Sequence, residues 1–245
     1  MPTFPANCSV TKRNALAFIA TPFDPSGLVA PLLLPGRLFL GRLWEAEYKW
    51  DDKLPDELVK QWHEIIKPWT DVSFNIKRCI IPPNATHLEL HGFADASGNG
   101  IGSAIYLRVK TPDDCFSNLV YARSCVVPKK LKNTIPRREL HALVITVKAV
   151  EFVKTQLKLS VDKIRLYTDS SCTLDWLKSG GAISRFEQRR LAIIKPYHVS
   201  HVKGSDNPAD IASRGCEQLL HFFMTLHALT LGQKRNVLFA MFCAS

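Results

Sequence analysis

The sequence predicts an α/β protein: a mixed sheet with helices packed on it, preceded by a small, mainly helical segment. Three observations predict this. From residue 87, apolar and polar residues alternate in three successive runs separated by short turns, the pattern of a strand meander. From about residue 135, segments of helical and strand periodicity take turns, which adds further strands and helices to that sheet. Upstream of "IPPN" at 81–84, the recurring apolar spacing is that of helices.

Taken in order, the first thirty-odd residues are Pro-rich and receive no element. From Leu32 to about Tyr48, Leu34, Leu38 and Trp44, with Phe39 and Leu43 between, recur at helical spacing. "LPDELVKQWHEIIKPW" reads as a second amphipathic helix, with Leu58, Trp62, Ile65, Ile66 and Trp69 on one stripe. The prolines of "IPPN" punctuate the chain and mark the expected boundary. The expected division is 1–86 as the helical segment, 87–216 as the α/β domain and 217–245 as an atypical tail. Strands are expected near 87–95, 101–109 and 117–126, the first two joined by "SGNG". A long helix follows from about Ile135 to Leu157, with Pro136 suited to its first turn and Leu140, Leu143, Val144, Val147 and Val150 as its buried stripe. A strand at 163–168, helices at 171–178 and 184–194 on either side of "SGG", a strand at 197–202 and a short helix from about Pro208 complete the domain.

Composition narrows the class. Hydrophobic residues make up 46% of the chain, which excludes wholesale disorder. The 7 cysteines include no C-x-x-C pair, so they read as free thiols of an intracellular, reducing compartment, cytoplasm or nucleus. The start lacks a signal-peptide layout, and no apolar run reaches the ~18–20 residues that a membrane span needs. The net charge of +10 is unevenly placed. Residues 87–216 hold 20 Lys/Arg against 12 Asp/Glu, whereas 1–86 hold 10 against 9. A basic α/β domain suits a polyanionic partner.

Four acids carry the chemistry. In "HLELHGFAD", Leu88, Leu90 and Ala94 share one strand face and Glu89, His91, Phe93 and Asp95 the other. "KIRLYTD" splits Ile164, Leu166 and Thr168 from Arg165, Tyr167 and Asp169. Each strand therefore ends with an acid on its less apolar face, just before a turn. If the strands are neighbours, the two carboxylates stand side by side, a repulsion relieved by a shared proton or a divalent cation. Glu139 is expected in the first turn of the long helix and Asp210 at the start of the last short one. Either could equally be explained by helix-end electrostatics.

The succession "HGFADASGNGIGSAIY", "TIPRRELHALV", "LYTDSSCTLDWL" and "HVKGSDNPADIASRG" resembles the ribonuclease H domain of retroelement polyproteins. "IPRRELHAL" and "DNPADIASRG" are similar to the version carried by Bel/Pao-type LTR retrotransposons, and residues upstream resemble the segment between polymerase and nuclease. The resemblance implies an RNase H-like five-stranded mixed sheet and two-metal hydrolysis of the RNA strand of an RNA–DNA hybrid. It makes Asp95, Glu139, Asp169 and Asp210 the ligands of two Mg²⁺ ions, with Mn²⁺ as a substitute, and Asp95 the shared ligand. His201 falls where the family has a loop histidine that assists turnover. Ser97, Asn99, Arg137, Arg138, Ser170 and Lys203 are candidate nucleic-acid contacts, joined by Lys129, Lys130, Lys132, Arg185, Arg189 and Arg190 as basic residues for phosphates. Other parts of the retrotransposon polyprotein are implied partners; no membrane and no small-molecule cofactor are expected.

Several other signals fail. "GNGIG" precedes a strand, whereas a dinucleotide loop opens a helix. "YKWDD" has one residue too many for the Y-x-D-D of reverse transcriptases, so the chain reads as a fragment of a larger polyprotein or an isolated descendant. Transposases and integrases of the same fold order their acids Asp, Asp, Glu; here the glutamate is second. The competing reading is a catalytically inactive nucleic-acid-binding relic, suggested by a tail unlike the family's usual continuation and opposed by retention of all four acids.

Overall fold

The structure is a computed structural model that describes residues 3–5, 8–69, 79–128, 134–158, 160–179 and 184–216. Lys129, Lys130, Lys132 and the 217–245 tail lie outside them.

All five expected strands are present. β1 (His87–Ala96), β2 (Gly100–Lys110) and β3 (Cys115–Val126) form the antiparallel meander, with an irregularity at Ile105/Tyr106. β4 (Lys163–Thr168) pairs in parallel with the free edge of β1, and β5 (His198–His201) pairs in parallel with β4. The order is β3-β2-β1-β4-β5, the mixed sheet that the alternation implied.

Strand periodicity sorts the side chains between two faces. One face meets the long helix that the apolar stripe predicted over Ile135–Leu157. Leu140, Leu143, Val147 and Val150 of that helix pack with Leu90, Ala94, Ile105, Leu107 and Leu166 of the sheet. The other face gathers Phe93, Tyr106, Tyr167, Val202 and Ala209, with Phe93 stacked on Tyr167 at 4.7 Å between ring centroids. Its polar members are buried as well. The Glu89 carboxylate accepts from Arg108 at 3.2 Å and lies 3.1 Å from His91 Nε2, while His91 Nδ1 meets the Tyr167 hydroxyl at 3.0 Å. Burial pushes His91 down to about 4, so it is a neutral member of this network at neutral pH.

Upstream, three helices form a second core. α1 (Lys12–Ala20) is the element the sequence reading left unassigned. Thr11 caps it by accepting from the Asn14 amide, and Ala15, Phe18 and Ile19 point inward. α2 (Ala30–Glu45) and α3 (Asp56–Ile66) add Phe39, Leu43 and Trp62, and Phe18 stacks on Trp69 at 5.6 Å. With the helix over Ile135–Leu157 as α4, the chain continues through α5 (Ser171–Ser179), α6 (Arg185–Ile194) and α7 (Ala209–Arg214). Among the described residues, no helix is long and apolar enough to cross a membrane.

The upstream helices meet the sheet through α2 and the turn before it. Arg37 donates to the Ser124 carbonyl at 2.7 Å and the Ala122 amide to the Ser26 carbonyl at 2.8 Å. Gly27 has φ +72, and a Cβ there would sit 1.8 Å from the Ala122 carbonyl oxygen. α2 also flanks α7: the Cys216 amide donates to Pro31 at 3.2 Å, and Ile211 and Cys216 join the upstream core.

On its other side α7 lies directly on the β1–β2 hairpin. A Cβ at Gly102 would meet the Ala209 carbonyl oxygen at 2.3 Å and the Ser213 amide at 2.5 Å, so only glycine permits this approach. Gly102→Ala is therefore expected to destabilise the protein by roughly 2 kcal/mol or more in urea denaturation, because backbone must move to admit the methyl. Gly98→Ala, with nothing within 4 Å of the new methyl, is the control and should be close to neutral. Equal stability of the two variants would refute this docking of α7.

Candidate active site

The parallel register of β1 and β4 sets Ala94 opposite Thr168, so Asp95 and Asp169 follow at adjacent strand ends. Asp95 is buried, with 5% of its surface exposed. Burial pushes its carboxyl up to about 6, against the pull of a hydrogen bond from Ser213, and the negative charges of Asp169 and Asp210 push it the same way. Three of the four acids are thus electrostatic neighbours.

Three of the four acids take a donor from a neighbouring side chain. The Ser213 hydroxyl donates to Asp95, the Ser170 hydroxyl to Glu139, and the Arg214 guanidinium to Asp210 at 2.5 Å. Asp169 lies beside the loop after β5, where a Cβ at Gly204 would come within 3.2 Å of its Oδ2. Among the described residues, no three His, Cys, Asp or Glu side chains are grouped closely enough to hold a metal ion as they stand.

Glu139 departs from its expected setting. α4 starts at Ile135 and has no acid in its first turn, so Glu139 stands one turn further in. The helix dipole acts mainly on the first turn and does not account for an acid there. Its neighbours do connect it to the strand end: Ser170 follows Asp169, and the Glu139 charge, after burial, raises the Cys172 thiol. Asp210 is in the first turn of α7, as expected.

The remaining candidates divide by what they touch. His201 pairs with Thr168 at the acid end of the sheet and its side chain is exposed; His198 pairs with Arg165, three residues further away, and meets Ser200 at 3.1 Å. Lys203 is exposed on the loop beside Asp169, just before Gly204. Ser97 donates to the Ser213 carbonyl at 2.8 Å and accepts the Gly100 amide at 2.9 Å, so its hydroxyl ties α7 to the hairpin. Asn99 is exposed in that hairpin turn. Ser170 is buried, its hydroxyl occupied by Glu139 and Thr173. Arg138 reaches the Gly98 carbonyl at 3.0 Å, which brings it to the β1–β2 turn. Arg137 is held by Glu187 at 2.6 Å and lies over the Phe186 ring, with Arg190 over the same ring. Arg185 and Arg189 are exposed on α6.

The sequence reading missed Ser213 and Arg214. They stand three and four residues after Asp210 in "ADIASRG", one helical turn on and hence on the same side of α7. That spacing was the available signal. Glu187, buried beneath Arg137, was missed as well and had no such signal.

A family model described as "Pao retrotransposon-like RNaseH-like domain" matches residues 11–170, more than half of the chain. The chain belongs to that family. The match to this Pao retrotransposon-like domain covers Asp95, Glu139 and Asp169, ends before Asp210, and runs without a break through the helical segment and residue 86. Among solved structures, the domain is similar to RNase H1 from the halophilic archaeon Halobacterium salinarum NRC-1, at 14% identity and TM-score 0.32 over 62% of this chain and 100% of that one. LC11-RNase H1, solved in complex with RNA/DNA hybrid, matches at 15% identity and TM-score 0.35 over 51% of this chain and 92% of that one. The foamy viral protease-reverse transcriptase dRH, solved with double-stranded DNA, matches at 14% identity and TM-score 0.41 over 77% of this chain and 34% of that one. The comparison with curated proteins returned no match.

The raised Asp95 carboxyl makes stability depend on pH in a definite direction. An acid whose folded value lies above its unfolded one stabilises the fold fully below the unfolded value, near 3.8, and that contribution is lost as pH rises through about 6. In EDTA, Asp95→Asn is therefore expected to be more stable than wild type at pH 8 by roughly 2 kcal/mol, with the gap closing at pH 4. Urea denaturation at the two pH values measures it, and a gap independent of pH would contradict the assignment.

Proposed function

We propose that this Pao retrotransposon-like domain is a metal-dependent endoribonuclease that cleaves the RNA strand of RNA–DNA hybrids. The observation that carries the reading is the buried Asp95 at a strand end, beside Asp169 and in the electrostatic field of Asp210. Such a concentration of like charge is relieved by a cation. The donor set consists of carboxylate oxygens, which fit a hard divalent ion such as Mg²⁺, with Mn²⁺ as a substitute. Asp95, Glu139, Asp169 and Asp210 would hold two such ions. Bound there, the ions supply charge to activate water and to stabilise the departing oxygen of the phosphodiester.

The chain's own residues have separable tasks in this reading. Ser213 orients Asp95 from the buried side, and Ser170 does the same for Glu139. His201, exposed at the end of β5 opposite Thr168, stands near Asp169, where a loop histidine would assist turnover. Arg138 at the β1–β2 turn and Lys203 on the loop beside Asp169 flank the acids with positive charge suited to backbone phosphates. Discrimination of RNA from DNA would come from hydrogen bonds to the 2′-hydroxyl.

The test is cleavage of labelled RNA–DNA hybrid in Mg²⁺ by wild type and by Asp169→Asn. Wild type is expected to cut the RNA strand, and the variant to lose more than about a hundredfold of that rate while still binding hybrid. Hybrid binding without cleavage by either protein would instead indicate a non-catalytic nucleic-acid-binding module. Undiminished cleavage by Asp169→Asn would exclude the carboxylate assignment.

A further inference from the structure

Arg214 is placed in an unusual way for a surface cation. Ser213, the residue before it, is fully buried: its carbonyl accepts from Ser97 at 2.8 Å and its hydroxyl reaches Asp95. The backbone at 213–214 is thereby pinned to the β1–β2 hairpin. From that fixed point the Arg214 side chain turns back one helical turn to pair with Asp210 at 2.5 Å, with 68% of the side chain exposed to solvent. An exposed i, i+4 pair on so short a helix adds little to stability. Yet Arg214 is also attracted by Asp95 of β1 and by Asp169, just past the end of β4.

We propose that Arg214 is the carboxylate cluster's own counter-charge, and that it competes with divalent cations for Asp210 and so sets the protein's metal affinity. The inference rests on the reading of these acids as metal ligands. The guanidinium neutralises Asp210 by direct hydrogen bonding and offsets the field of Asp95 and Asp169 from the same position. For Asp210 to ligate a cation, Arg214 must release it, and the exposed side chain has solvent to move into. Once released, its reach from the pinned 213–214 backbone keeps the positive charge at the rim of the site, where a bridging phosphate of the substrate would approach. Arg214 is thus a positioning residue that acts through Asp210.

The experiment is Mn²⁺ binding to the full chain, measured by calorimetry and by the electron paramagnetic resonance of free Mn²⁺, for wild type, Arg214→Gln, Arg214→Lys and Asp210→Asn. Arg214→Gln keeps most of the side chain's length and removes its charge. It is expected to tighten the Mn²⁺ dissociation constant by about five- to tenfold at low ionic strength, and by less as salt is added. Arg214→Lys should stay within about twofold of wild type, because the charge is retained. Saturating Mn²⁺ should also raise the melting temperature of Arg214→Gln by more than that of wild type, measured against each protein in EDTA. An unchanged or weaker affinity in Arg214→Gln, with Asp210→Asn binding more weakly than wild type, would overturn the role of Arg214 while leaving the metal site intact. Absence of Mn²⁺ binding by wild type, or undiminished binding by Asp210→Asn, would instead remove the metal reading, and this inference with it.

Discussion

The parallel pairing of β1 with β4 is the contact on which the rest of the site depends. With Ala94 opposite Thr168, the residues that follow are Asp95, the last but one residue of β1, and Asp169, just past the end of β4. Two carboxylates in that position repel, more strongly because one of them is buried. The surroundings can be read as the answer to that repulsion. Ser213 and Ser170 donate hydrogen bonds, Arg214 supplies a positive charge, and Asp95 holds its proton well above the usual carboxylate range. A strand pairing chosen by hydrophobic packing on the α4 side thus creates an electrostatic problem on the opposite face.

α7 is where the upstream core meets the face of the sheet opposite α4. It carries Asp210, Ser213 and Arg214, and it is a short helix with little capacity to hold its own conformation. Its position comes from outside. The β1–β2 hairpin supports it through Gly102 and Ser97, and the upstream helices flank it through Pro31, Ile211 and Cys216. The family match runs through the helical segment as well as the sheet. The two parts nevertheless have separate hydrophobic cores.

Much of the fold could be read from periodicity alone. The α4 stripe and the alternation in β1 and β4 assign side chains to the faces on which the structure finds them, because a helix and a strand bury their residues at characteristic intervals. α1 escaped notice because its stripe of Ala15, Phe18 and Ile19 spans little more than one turn amid prolines, and it packs against Trp62 and Trp69 far along the chain. Glu139 was misjudged by one turn. The acid is less a helix-end charge than expected and more firmly tied to Ser170. Glu89 and His91 make the less apolar face of β1; their mutual hydrogen bond, with those to Arg108 and Tyr167, lets that face be buried too.

By itself, the sequence determined the mixed α/β architecture, the placement of an acid at two strand ends and the family resemblance, since each depends on local pattern or on the order of motifs. Only the tertiary structure decided which strands are neighbours, and therefore that Asp95 and Asp169 share an end. It also decided that Asp210 joins them through a helix held from both sides, and which donors the acids take. These last features depend on contacts between residues dozens to more than a hundred positions apart, such as Ser213 with Asp95 and Ser97. Hydrogen bonding and charge act through space over a few ångströms, and no local pattern in the chain encodes which distant groups will come within that range.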